Sequence, residues 1–422
     1  MRLWSDICPK NWKRLKLKYV ARFIGGGTPD KSTTGFWNGD IPWVSPKDMK
    51  TDEVFDTEDH ITAEGLQSSA TNLVQPGAAL IVVRSGILRH SLPVAINRVS
   101  TAINQDMRAI LPSESLEVGY LARLITGFQA ELLRLWSKEG ATVESLEYDL
   151  VASTEIPVPP LATQRNIVQF LDRETADIDA LITAKQRLLD LLAEKRRAIV
   201  AESIMRGLNP SVPVRPSGID WLGDIPTHWE VERSRWLFQE RDERSETGEE
   251  EMLTVSHLTG VTPRSEKDVN MFEAESTAGY KLCFTGDLAI NTLWAWMGAM
   301  GTARVDGIVS PAYNVYTPGP RLIPDYVDAL VRIPVFAQEV TRYSKGVWSS
   351  RLRLYPEGFF ESYWPVPPID EQNEIVRHIA AEAAKIDQLR AATEHSITLL
   401  KERRSALIAA AVTGQIDIPE AA

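Results

Sequence analysis

The sequence predicts an α+β chain. Two mixed α/β globules are separated and joined by two long helices that pack on each other as a coiled coil, with an internal duplication. Three observations predict it. A stretch of about fifty residues occurs twice, at a constant offset of 208. Each copy opens on Pro-Val-Pro-Pro and then runs more than forty residues without proline. Ahead of each copy, short β-branched and aromatic runs alternate with turn signals over roughly 150 residues.

The duplication is gapless. Pro157, Val158, Pro159 and Pro160 align with Pro365, Val366, Pro367 and Pro368, and Gln164, Ile178, Asp179, Leu192 and Arg196 align with Gln372, Ile386, Asp387, Leu400 and Arg404. Leu171, Ile178, Leu192 and Ile199 fall on a seven-residue spacing, as do Ile379, Ile386, Leu400 and Leu407, with Lys185 and Thr393 as the missing rungs. Leu181 and Leu188, and Leu389 in the other copy, supply a second row. Such a stripe on a helix roughly 60 Å long needs a partner. The other copy is the economical one; the alternative is another protein.

The globules share an outline. Residues 1–155 contain Pro9-x-x-Trp12, the run GGGTPDKSTTGFWNGDIPWVSPKDM from Gly25 to Met49, and a β-like stretch AALIVVRSG after Pro76-Gly77. Residues 211–363 contain Pro226-x-x-Trp229, Met252 to Ser256, and Thr285 to Asn291. Each closes on a helix-like stretch, Tyr120 to Trp136 and Asp325 to Tyr343. Trp294 and Trp296, two apart, read as one side of a strand and as core. The expected division is therefore 1–155, 156–210, 211–363 and 364–422, with residues 207–220 as the linker that restarts the pattern.

Composition excludes several classes. With 422 residues, 44% of them hydrophobic, the chain is neither one ordinary core nor disordered. Cys8 and Cys283 make no disulfide scaffold and no metal knuckle. No apolar leader-like region or membrane-length run is visible, so a soluble cytoplasmic protein in a reducing compartment is expected, with no membrane partner. The net charge of −11 argues against a generic nucleic-acid sponge. By segment it divides into −2, +1, −7 and −3, and Arg2 to Arg22 holds seven bases against Asp6 alone.

Catalytic signatures are missing. Gly25-Gly26-Gly27-Thr28 is not followed by Gly-Lys-Ser/Thr, so it reads as a glycine-rich turn before a DNA- or protein-facing loop. Ser310-Pro311-Ala312-Tyr313 departs at two positions from the Asn/Asp-Pro-Pro-Tyr/Phe tetrad of amino-methylating enzymes. The six histidines show no metal spacing, and Ser85-Gly86 lacks the G-x-S-x-G elbow. The expectation is a binding protein, without catalytic residues, metal or cofactor of its own.

The paired PVPP-x-x-x-Q-x-x-I-V helices, the Pro-x-x-Trp openings, the GGGTP run and the closing Val412-Thr413-Gly414-Gln415-Ile416 resemble the specificity subunit of type I restriction–modification systems over essentially the whole chain. The resemblance implies two target-recognition domains held by an antiparallel coiled coil with pseudo-twofold symmetry. Each domain would read one half of a split double-stranded DNA target. It implies two modification subunits that methylate adenine with S-adenosylmethionine, and restriction subunits that translocate and cleave with ATP and Mg. A structural adaptor or DNA-mimicking inhibitor is the alternative that the acidity favours; a stand-alone enzyme would need a motif the sequence lacks.

Candidate DNA contacts follow from residue type and position. Lys10, Lys13, Arg14, Lys16 and Lys18 suit phosphates, or form a solvated entry segment. Thr28, Trp43, Ser45 and Lys47 lie in the opening loop and strand, although Trp43 alone also reads as core. Arg84 and Ser85 end the strand ALIVV with groups suited to base edges. In the second globule the candidates are Ser256, His257, Asn291, Thr292, Arg304, Ser310, Tyr313, Lys345 and Arg351. Gln164, Arg165, Arg196, Arg197, Gln372, Arg403 and Arg404 on the helices are candidates for docking the modification subunits, or are ordinary flanking charge. Helix length would set the gap between the two half-sites.

Overall fold

A computed structural model describes residues 7–138, 140, 143–267, 276–346 and 352–418. It divides into two compact units. One comprises residues 1–185 and 394–422; the other is Gln186–Thr393, the length of one repeat. Each unit holds one globule, half of one long helix and the opposite half of the other.

The long helices span Leu161–Arg206 and Ile369–Val412. They begin where the proline stretch ends. Prolines 160 and 368 lend their carbonyls to the amides of Gln164 and Gln372, each at 3.0 Å, and no later proline interrupts the ladder. They end on Gly207 and Gly414, at φ of +73° and +69°, a left-handed conformation that favours glycine. Within the first unit Arg404 meets Asp179 at 2.9 Å. Within the second, Arg196 meets Asp387 at 3.1 Å. These are the same pair under the 208-residue offset with the helices exchanged, so the pairing is antiparallel in both units and repeats the duplication.

The buried seam differs from the expected one in detail. Ile167, Leu171, Thr175, Ile178 and Ile182 line the first helix inside the first unit, and Ile375, Ile386 and Thr393 line the second helix inside the other. Thr393 is no missing rung. Its hydroxyl donates to the Leu389 carbonyl at 2.7 Å, as Thr175 does to Leu171, so a threonine enters the seam without an orphaned donor. The second row is corrected: Leu181 and Leu389 are exposed, and Ile182 takes the buried place beside Leu181. The seam advances by three and four residues, which carries it to Ile182 rather than Leu181.

In the first unit the main sheet runs, edge to edge, Ala21–Gly25, Met107–Pro112, Ala79–Val82, Val94–Asn97, Glu53–Val54. In the second it runs Phe238–Arg241, Tyr313–Pro318, Leu288–Asn291, Met300–Thr302. The first four strands correspond one to one. Ala79–Val82 and Leu288–Asn291 are buried throughout, as strands at a sheet centre should be. The helices Val118–Gly127 with Gln129–Trp136, and Pro324–Val331 with Pro334–Arg342, supply the helix-like closing stretches.

The same devices join each globule to the helices of its unit. A ribbon pairs Lys13–Lys16 with Glu155–Val158, and Glu230–Arg233 with Tyr363–Val366. The buried Tyr120 hydroxyl donates toward the Val412 and Pro157 carbonyls at 2.9 and 3.2 Å; Tyr326 reaches Pro365 and Ile204 at 3.3 and 3.5 Å. Gln164 accepts from the Glu117 amide at 2.7 Å and donates to the Pro159 and Ser115 carbonyls at 2.8 and 3.0 Å. Gln372 repeats this with Ile323, Pro367 and Arg321 at 3.0, 2.8 and 2.8 Å.

Candidate nucleic-acid interface

One end of each main sheet gathers most of the predicted contact residues. Antiparallel register fixes which end. Arg108 lies opposite both Gly25 and Ile81, so the Gly25–Thr28 loop and the chain after Val82 emerge together. In the second unit, Asn291 lies opposite Tyr313. A hairpin stem closes this end in both. Leu146 donates its amide to the Val83 carbonyl at 2.8 Å, and Leu354 to Thr292 at 3.0 Å.

The glycine-rich loop is shaped by packing. A side chain on Gly26 would fall 2.1 Å from the Asn104 carbonyl oxygen, and one on Gly27 would fall 2.6 Å from the Thr71 amide. The indole of Trp43 is buried and donates to the Gly27 carbonyl at 3.0 Å. Trp43 is therefore the tie that holds this loop down, not a groove contact. Ser45 is also withdrawn. It is buried, and both its amide and hydroxyl donate to the Asp48 carboxylate at 2.8 Å. Thr28 hydrogen-bonds Gln105 at the sheet end. Lys47 is exposed and donates to Asp59 at 2.8 Å, which holds its ammonium above the usual lysine range.

Arg84 and Ser85 begin the turn after Val82. The Arg84 guanidinium meets Asp106 at 2.6 Å, and Arg89, further along the turn, meets Glu144 at 3.1 Å. Ser85 caps the amide of Ile87 at 3.4 Å. The corresponding turn of the second unit has the opposite character. It runs from Thr292 to Ala299 with Leu293, Trp294 and Met297 exposed. Trp294 and Trp296 thus belong to a turn rather than a strand, with Trp294 49% exposed and Trp296 half-buried.

Beneath that turn, three predicted contacts prove to be struts. Asn291 and Thr292 are buried; Asn291 donates to the Tyr313 hydroxyl at 3.1 Å, and Thr292 to the Ala312 carbonyl at 2.8 Å. Burial raises the half-buried Tyr313 phenol above its ordinary range, against the opposing bond from Asn291. Ser310 turns back on the amide of Ala312 at 3.3 Å. Lys345 is exposed at the stem of the hairpin and makes no ion pair among the described residues. Arg351 lies outside the described residues. Arg353, which the sequence reading missed, keeps its Nε buried without a hydrogen-bond partner among the described residues.

The remaining candidates lie elsewhere. Lys13, Arg14 and Lys16 sit on the ribbon that leads into the long helix, with Lys10 and Lys18 flanking it. The strand Ala21–Gly25 carries the chain from this cluster to the Gly25 end, so the cluster and the sheet-end residues occupy opposite ends of that strand. Ser256 and His257 form the tip of a hairpin, with the Ser256 hydroxyl accepting from the Leu258 amide at 3.1 Å. Arg304 is taken by Asp325.

The partner-docking set is also re-sorted. Gln164 and Gln372 have no exposed surface and all their bonds run inward, so they are corrected from docking residues to internal joints. Arg196 and Arg404 are committed to the interhelical pairs above, and Arg404 also reaches Asp52 at 3.6 Å. Arg165 faces Glu117 at 3.8 Å. Arg197 and Arg403 are exposed and unpaired among the described residues.

Among the described residues no group of three or more His, Cys, Asp or Glu is placed to hold a metal. Burial pushes the Cys8 thiol up to about 11 and the Cys283 thiol up to about 12. No helix among these residues is long and apolar enough to cross a membrane.

Comparison with known proteins finds similarity over parts of the chain. The model of the type I restriction modification DNA specificity domain matches residues 9–190. The specificity subunit of the type I restriction enzyme EcoR124I/EcoR124II of Escherichia coli is 41% identical over 163 residues, 38% of this chain and 40% of that protein. The MjaIX specificity subunit of Methanocaldococcus jannaschii is 28% identical over 232 residues, 53% and 51% of the two chains. The alignments thus span about half or less of these relatives. Two solved structures share the fold. A chain from work on complex assembly and conformational transition of the type I R-M system has a TM-score of 0.69 at 16% identity, covering 97% of this chain and 99% of that one. The HsdS subunit from Thermoanaerobacter tengcongensis has a TM-score of 0.55 at 15% identity, covering 99% and 100%.

Proposed function

We propose that this chain is a type I restriction–modification specificity subunit and reads a two-part double-stranded DNA target, one half at the sheet end of each globule. The observation that carries this reading is the pair of sheet ends, alike in backbone and unlike in side chains. Equal frames would place two readers alike, while Arg84 and Ser85 on one and Leu293 and Trp294 on the other suit different base edges. The target is therefore asymmetric.

Chemistry falls to other subunits in this reading. Two modification subunits would methylate adenine with S-adenosylmethionine, and restriction subunits would translocate and cleave with ATP and Mg. Of the candidate docking residues, the exposed Arg197 and Arg403 are the ones without a partner among the described residues, and so are free to meet them. The helices, 46 and 44 residues long, would set the gap between half-sites. Mapping methylated adenines in cells with and without this chain tests the proposal. The expected result is one asymmetric, interrupted motif lost with the chain. An unchanged methylation pattern, or a single uninterrupted motif, refutes it.

A further inference from the structure

Once the two sheet ends are superposed in register, one exposed charge is common to both. Lys138 follows the helix Gln129–Trp136, and Lys345 follows the helix Pro334–Arg342. Each sits behind a serine whose hydroxyl donates back to the helix carbonyl four residues earlier, Ser137 to Leu133 at 2.6 Å and Ser344 to Val340 at 2.8 Å. Each lysine amide then donates across the hairpin stem at 2.9 Å, Lys138 to Ser145 and Lys345 to Arg353. The next residue of the far strand, Leu146 or Leu354, is the one that ties the stem to the sheet end. The two lysines therefore occupy one structural position, built by the same three hydrogen bonds.

Both side chains are exposed, and neither ammonium has an ion pair or hydrogen bond among the described residues. That sets them apart from Lys47, Arg84, Arg89 and Arg304, all held by carboxylates. Around the lysines the two ends differ. Ser145 stands where the other has Arg353, Glu147 where it has Tyr355, and Arg84 where it has Leu293.

Two domains that read different base sequences must differ in the groups that touch bases. They can share the groups that touch phosphates, because every duplex presents the same phosphates. An unpaired ammonium is a point charge suited to that task. We propose that Lys138 and Lys345 are matched DNA-backbone contacts, each holding one phosphate beside its own half-site. The proposal rests on the reading of the chain as a DNA-specificity subunit and assigns the sequence-independent part of its grip.

The test uses the full-length chain, alone and co-expressed with its modification subunit, and a random-sequence 40-base-pair duplex pool. Affinity is measured from low to moderate salt. Lys138→Ala and Lys345→Ala should each reduce the slope of log affinity against log salt by about 0.9, and the double variant by about twice that. At 0.15 M salt this corresponds to roughly fivefold weaker binding for each contact. Lys138→Arg and Lys345→Arg should restore the slope, and the methylated motif in cells should be unchanged in every variant.

Lys401→Ala removes an exposed charge from the second helix and should leave the slope unaltered. Wild-type slopes in both alanine variants, or an equal loss in Lys401→Ala, overturn the proposal. A changed motif also overturns it, by making the lysine a base reader. If neither the wild-type chain nor its complex binds duplex DNA, the parent reading fails, which is a separate result.

Discussion

Replacing Gln164 by leucine tests whether the joint between globule and helix is built as described. The side chain has no exposed surface and makes three hydrogen bonds, at 2.7, 2.8 and 3.0 Å. Leucine has a similar volume and no polar atoms, so the change strands the Glu117 amide and the Pro159 and Ser115 carbonyls. A buried polar group without its partner costs about 1–3 kcal/mol. The amide loses its only partner shown, and the carbonyls each keep a second lone pair for relaxation. A net loss of about 3 kcal/mol follows, after roughly 1 kcal/mol is returned by burying the leucine. Hydrogen-exchange mass spectrometry reads this locally. Amides of the first globule and its helix segments should exchange about 100-fold faster wherever they open by unfolding of that unit. Gln372→Leu should do the same in the other unit, since its bonds match to within 0.3 Å. Less than a threefold change for both variants would refute the joint. So would a change spread evenly over the whole chain.

Three further outcomes can be checked by denaturation. The equivalent arginines should not be equivalent in energy. Arg196 is 49% exposed with Asp387 as its one partner among the described residues, so Arg196→Ala should cost under about 1 kcal/mol; Arg404 is 22% exposed and serves Asp179 and Asp52, so Arg404→Ala should cost roughly 1–2 kcal/mol, and equal costs would argue against the Asp52 link. Gly414→Ala places a Cβ 2.8 Å from Pro9 and 2.9 Å from Trp12 at φ +69°, and should lower stability by about 2 kcal/mol or more; Gly207→Ala, which meets the movable end of Glu371, should cost less. Glu339 is buried and accepts the Tyr363 amide at 3.1 Å, and its burial raises the carboxyl above its ordinary value of 4.5, with Asp220 adding to the rise and Arg342 opposing it. The folded state thus binds this proton more tightly than the unfolded chain, so its contribution is full below about 4.5 and is lost as pH climbs through the raised value. Glu339→Gln, which keeps the accepting oxygen, should therefore be more stable than wild type at neutral pH and lose that advantage near pH 4.

The duplication and the long helices were legible because they depend on local rules. Proline placement, a constant offset and an apolar stripe survive without tertiary information. The seam was misjudged at Leu181 because a strict seven-residue spacing cannot tell which of two neighbours, Leu181 or Ile182, faces the partner. Site residues were harder for a related reason. Residue type shows that Trp43, Ser45, Asn291 and Thr292 can make polar contacts, and only the fold shows that they spend them on Gly27, Asp48, Tyr313 and Ala312. The paired glutamines were visible as a repeat, yet their inward bonds run to the Ser115–Glu117 and Arg321–Ile323 segments, which carry no common motif. Lys138 could have been found. Ser137-Lys138 and Ser344-Lys345 stand 207 apart, one residue from the offset of the helices, in segments otherwise too diverged to align by eye.

The pairing of arginines at the first sheet end also gives the acidity of the chain a role. An arginine already satisfied by a carboxylate gains little from an arbitrary phosphate, because one charge-assisted contact replaces another. It gains more from a guanine edge, whose two acceptors match the guanidinium fork while the carboxylate is released to solvent. If this sheet end reads DNA as proposed, Arg84 with Asp106 and Arg89 with Glu144 would penalise non-specific binding more than specific binding. On the same reading, the exposed apolar turn of Leu293, Trp294 and Met297 at the second end would gain nothing from phosphates, and would make favourable contact only where a thymine methyl or an unstacked step met it. The two ends would then reach the same result by different chemistry. A net charge of −11 lowers affinity for DNA in general, and in the proposed reader would leave discrimination to a few groups whose partners are chosen by sequence.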